Sequence, residues 1–189
     1  MTRFKSRGRK GGVYVVFPVY AADLIANLAR QLIELLSEGE VRQPKDMDPL
    51  EAMFAFDGPR DEPEDPALLR LLPPAHVSDD VAAAEFRRFT ERSLREGKVR
   101  DARSVVTQLE AARDEDIGDL EFELDAAQAR AWMRCLTDLR LTLAVRLGVT
   151  ADDEAFWESL PRDDERRPLY EIYGWLGYVL ESLIDAVRR

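Results

Sequence analysis

Apolar residues recur along this chain in two rhythms, one helical and one of period two. In "VYAADLIANLARQLIELLSEG", Leu24, Ile25, Leu28, Leu32, Leu35 and Leu36 keep helical spacing, and Gly39 is a stop signal. Just before it, "VYVVF" at 13–17 is a β-branched and aromatic run closed by Pro18, which predicts a strand. "DDVAAAEFRRFTERSLREGK" and "VRDARSVVTQLEAARD" predict two helices punctuated by Gly97. The first is expected to bury Ala82, Phe86 and Phe89, the second Val99, Ala102, Val105, Val106 and Leu109. After Gly118 the period becomes two: Leu120, Phe122 and Leu124 alternate with Glu121 and Glu123, the pattern of a half-buried strand over 119–124. Asp125 then caps a long helix, with Gln128 where a capping-box partner belongs and Gly148 at its end. The last helix, "PLYEIYGWLGYVLESLIDAVRR", places Leu169, Ile172, Tyr173, Leu176, Leu180, Leu183 and Val187 on one face. Shorter helices are expected at "DPLEAMFAF" behind Asp48, at "ALLRLL" behind Asp65–Pro66, and at "DDEAFWESL".

Strand, breaking or capping residue and long helix occur in that order twice, from Val13 and again from Leu120. The two strands are expected to pair and to bring their helices together. The fold class is therefore mostly α: a helical bundle with a small two-stranded antiparallel sheet, residues about 13–17 and 119–124. A basic arm over 1–12 precedes a single helical domain over 13–189, which carries an acidic, proline-rich loop at about 57–66.

Composition narrows the chemistry. The 189 residues include one cysteine, Cys135, and one histidine, His76. A disulfide within the chain, a cysteine-rich zinc site and a histidine pair are all excluded, and neither a metal nor another cofactor is expected. No stretch approaches the length of apolar residues that spans a bilayer, and no signal-peptide pattern opens the chain, so the expected location is cytoplasmic. The net charge is −10, yet Arg3, Lys5, Arg7, Arg9 and Lys10 stand in the first ten residues without an acid. The body repels polyanions, and the arm can meet phosphate.

Within "AWMRCLTDLRLTLAVRLGV", Trp132, Met133, Leu136, Leu139, Leu143 and Leu147 form one face, and Arg140 falls in its middle. A buried guanidinium needs an acid or several carbonyls. The expected role is a structural ion pair with Glu85, with Glu91 behind it; a ligand-binding arginine and an arginine at a groove edge are the alternatives. Leu141 and Val145 on the opposite flank make this helix either central or part of a subunit interface. Cys135 beside the main face reads as a small buried hydrophobe, with a redox role as its alternative. Asp79–Asp80, Asp152–Asp153 and Asp163–Asp164 precede helices and read as starts, not as an acid–base dyad. Trp175 and Tyr178, between and beside Gly174 and Gly177, read as helix packing or as a partner surface. The arm residues, with Arg87 and Arg88 on the mildly basic 85–103 segment, are the candidate nucleic-acid contacts. No set of residues supplies a nucleophile, a base and an orienting group, so an enzyme is not expected.

"RLLPPA", "EFRRFTE", "LTDLRL…RLG" and "YGWLG…ESL" are the most specific pieces of a resemblance that covers nearly the whole chain. The chain resembles an actinobacterial family long catalogued as a domain of unknown function, the AosR-like oxidative-stress regulators. The resemblance implies a cytoplasmic transcription regulator tied to redox homeostasis and cysteine biosynthesis, with DNA and a stress sigma factor as candidate partners. It also implies gene neighbourhood with the ClpS proteolytic adaptor. The alternative function is accordingly a protein-interaction accessory to ClpS-type proteolysis, using the acidic loop and the Trp175/Tyr178 surface; a homodimer is a further candidate. The family's sensing pattern uses a cysteine pair near the N-terminus. Lys5 and Lys10 stand at that kind of position here, so a thiol signal would have to pass through Cys135.

Overall fold

The two rhythms become three strands and six helices among the described residues. A computed structural model describes residues 3–6, 12–38, 61–76, 78–115, 118–150 and 153–188. The strands are β1 (Arg3–Ser6), β2 (Val13–Phe17) and β3 (Leu120–Leu124). The helices are α1 (Val19–Ser37), α2 (Pro66–Leu71), α3 (Asp80–Glu115), α4 (Ala126–Leu147), α5 (Glu154–Glu158) and α6 (Arg167–Arg188). The expected helix at 48–56 and the first part of the acidic loop lie outside the described residues.

β2 pairs antiparallel with β3, Val15 opposite Phe122, so the expected pairing forms. The sheet has three strands rather than two, in the order β1-β2-β3. The third comes from the segment read as a basic arm. In "RFKS" Phe4 is buried and Lys5 exposed, which is strand alternation hidden beneath a run of cations. Gly12, before β2, has φ +105, and a Cβ there would stand 3.2 Å from the Leu124 carbonyl oxygen. The inner face of the sheet gathers Phe4, Val13, Val15, Phe17, Leu120 and Leu124. Trp132 of α4 lies against it, edge-on to Phe4 and tilted on Phe17 and Phe122.

α4 is the hub, packed on by α3, α6, α2 and the sheet. Asp125 accepts from the Ala127 and Gln128 amides at 2.7 and 2.8 Å, and the Gln128 side chain accepts from the Asp125 amide. Gly148 closes the helix with φ +76, a left-handed conformation open to glycine at no steric cost. α1 turns its alanines inward, with Ala21, Ala22, Ala26 and Ala29 buried alongside Ile25, Leu32 and Leu36, and packs on α3. Among the described residues no helix is long and apolar enough to cross a membrane.

α3 departs from expectation in two ways. It runs unbroken for 36 residues through Gly97, because a single interior glycine costs only about 1 kcal/mol and flanking packing absorbs it. In addition, its first half is rolled relative to the expected orientation. Phe86 and Phe89 are 46% and 59% exposed, whereas Arg87, Glu91 and Arg95 are buried.

Candidate functional site

The roll of α3 has an electrostatic cause. Arg87, Glu91 and Arg95 are spaced one helical turn apart and so share a face. Glu91 meets Arg95 at 2.8 Å and Arg87 at 3.8 Å. Arg87 also pairs with Glu62 at 3.0 Å. Arg95 donates to the carbonyls of Leu36 and Glu38 at 2.9 and 3.2 Å, capping the end of α1. With Glu62 completing the charge balance, the stripe can lie inside, and the phenylalanines turn to solvent. From Val99 onward the same face becomes apolar, with Ala102, Val105, Leu109 and Ala112 buried.

The outward face of α3 thus carries Phe86 and Phe89, with Val81 76% and Leu94 45% exposed on its flanks. Beside Phe86 a shallow groove runs between Pro73 and Pro74 on one side and Thr90 and Leu94 on the other. His76 is exposed and meets Phe86 edge-on, at 6.2 Å between ring centroids. Arg88 lies over the Phe89 ring at 5.5 Å. Three turns further along the same face, Arg100 and Arg103 are exposed. Apolar contact area and cations therefore share one solvent-facing ridge.

Of the residues expected to meet nucleic acid, Lys5 is exposed on β1 and Arg88 is half-buried. Arg87 belongs to the buried stripe, and its guanidinium is held by carboxylates. Arg3 lies on the edge strand, and Arg7, Arg9 and Lys10 fall outside the described residues.

Arg140 does not meet Glu85. Glu85 is exposed at the start of α3, and Glu91 is committed to the stripe. Arg140 instead packs at the seam of α4 and α6, its Cζ 4.8 Å from the centroid of the Tyr173 ring. Its guanidinium rests against Gly177, where a Cβ would stand 3.3 Å from Cζ and Nη2. A glycine inside α6, which costs about 1 kcal/mol relative to alanine, is what admits it. Trp175 is half-buried against the core, and Tyr178 is 42% exposed.

On the other side of α4, Asp138 is buried and pairs with Lys98 at 2.7 Å. Burial raises its carboxyl above the ordinary value of 3.8 even though Lys98 pulls the other way. Cys135, 1% exposed, is pushed up to about 12 by burial, aided by the nearby Asp138 and Asp101 carboxylates. A thiol there stays protonated near neutral pH and out of reach of solvent oxidants. Among the acids read as helix starts, Asp79 accepts from the Ala82 amide at 3.0 Å and Asp153 from the Thr150 amide at 3.0 and 3.1 Å. Asp164 grips Arg166 and falls to about 2. Among the described residues no group of three or more His, Cys, Asp or Glu is placed to hold a metal ion.

Residues 1–187 match the family model described as Domain of unknown function (DUF2017). A Mycobacterium leprae protein named "Putative oxidative stress regulator AosR" is 34% identical over 174 residues, covering 87% of this chain and 77% of its own length. Proteins of Mycobacterium bovis and Mycobacterium tuberculosis named "Oxidative stress regulator AosR" are 32% identical with the same coverage. No solved structure gives a significant match.

Proposed function

The chain belongs to the DUF2017 family, and from that premise we propose that it is an oxidative-stress-linked transcriptional regulator that works by docking on the transcription machinery, a sigma factor included, without catalysis. One observation carries this reading: α3 exposes Phe86 and Phe89 while burying Arg87, Glu91 and Arg95. Large exposed apolar side chains on a ridge that also carries cations favour a macromolecular partner over solvent. The names of the mycobacterial relatives support the regulatory role. A net charge of −10 disfavours broad binding to DNA, so protein contact leads and any DNA contact is secondary. The oxidative signal does not enter through Cys135, whose thiol is buried and protonated; it reaches this protein through its partner.

Retention from a mycobacterial lysate, with and without nuclease, tests the proposal. Sigma factor or polymerase subunits retained after nuclease treatment, and lost in a Phe86→Ser/Phe89→Ser variant, are the expected result. Retention of protease adaptors alone would overturn it in favour of the proteolysis-accessory reading.

A further inference from the structure

The two buried arginines of the α3 stripe are both met by oxygen: Arg87 by Glu62 and Glu91, Arg95 by Glu91 and two carbonyls. Arg140 differs. Among the described residues its buried Nε has no acceptor, and no carboxylate pairs with it. The chain holds 37 acids against 27 lysines and arginines, so a carboxylate partner was chemically easy to supply. A guanidinium that serves only as a brace would be expected to have one, since an unanswered buried donor loses its water without compensation.

The surroundings hold the group in place without neutralising it. Tyr173 offers a ring face, which attracts a cation but accepts no in-plane N–H. Gly177 leaves the space the guanidinium fills. Gly174, the next glycine back along α6, is exposed and has open space where a side chain would stand. Arg140 is therefore positioned by its faces, with its edge donors left for something else. A planar fork with free edge donors matches the two oxygens of a carboxylate or a phosphate.

We propose that Arg140, seated between Tyr173 and Gly177 at the α4–α6 seam, is a receptor for an oxyanion, a carboxylate or phosphate group borne by a ligand or partner. The site is separate from the outward face of α3 and does not depend on it.

The test is a titration of the full chain followed by 1H–15N spectra at constant ionic strength. Inorganic phosphate and acetate are added in separate arms, with chloride as the control. The Arg140 Nε–Hε signal and the Gly174 and Gly177 amides are followed. A saturable shift of these signals with phosphate, acetate or both, and not with chloride, is the expected result. Phosphate alone identifies a phosphate-bearing ligand, and acetate alone a carboxylate from a partner. In Arg140→Met the glycine amides should no longer respond, while the melting temperature stays within a few degrees of the parent. The proposal is overturned by the absence of a saturable shift in the unmodified chain, by shifts confined to other regions, or by an unchanged response in Arg140→Met. The unmodified chain alone decides the matter if that variant does not fold.

Discussion

Cys135 and Asp138 lie one turn apart on α4 and are both shifted upward for the same main reason: burial penalises the charge each carries when ionised. For Cys135 the consequence is kinetic. A thiol-specific reagent at pH 8 should modify it only at the rate at which the fold opens, and promptly once denaturant is added; fast labelling of the native protein would contradict its burial. For Asp138 the consequence is thermodynamic. The fold binds the carboxyl proton more tightly than the unfolded chain does. This contribution to stability is therefore present in full below pH 3.8 and declines as pH rises through the raised folded value. Asp164 and Asp65, held low by Arg166 and Arg146, have the opposite sign and weaken the fold as pH falls below the ordinary carboxyl value. Comparing denaturant melts of Asp138→Asn and the parent across the window above pH 3.8 separates the two. The ratio of stabilities should climb in favour of the variant as pH increases.

The helices show how far periodicity reads and where it stops. On α4 the cap at Asp125, the partner Gln128 and the stop at Gly148 were all legible, because each is a local hydrogen bond or backbone requirement. On α3 the spacing announced a helix but chose the wrong inner face for its first half. Counting apolar residues favours Phe86 and Phe89, whereas the energy is decided by Arg87, Glu91 and Arg95: Glu91 meets both arginines, and Arg95 caps α1. Their spacing of four was visible in the sequence; that Glu62 and two α1 carbonyls would complete the set was not. Arg140 was misread for a related reason: its neighbour is a ring and a glycine, and neither advertises itself as a partner for a cation. Removing the central acid should be severe. Glu91→Ala takes from two buried guanidinium groups the carboxylate they share and is expected to cost about 3–5 kcal/mol in a urea melt. Phe86→Ser/Phe89→Ser should cost less, about 1 kcal/mol, since both residues are already about half solvated. Equal losses from the two changes would mean that the phenylalanines are core after all.

Taken together, the elements form a bundle around α4 with a sheet closed over Trp132, and α3 presents a long outward ridge of mixed apolar and basic character. The third strand was obscured by its own charge: Phe4 is a core residue inside a segment whose composition reads as a phosphate-seeking tail. Phe4→Ala should therefore destabilise the whole fold, by about 3–5 kcal/mol in a urea melt, an effect no unstructured tail would have. That finding shifts the centre of the molecule's interactions from its N-terminus to the face around Phe89. A photo-crosslinking amino acid placed at Phe89, in cells under oxidative stress, tests this most directly, with a second placed at Glu181, exposed on α6, as the reference. Adducts with a sigma factor or polymerase subunit from position 89, and none from the reference, are the predicted result. Adducts that are absent at 89, or equal from both positions, would contradict the claim that this ridge is where the protein works.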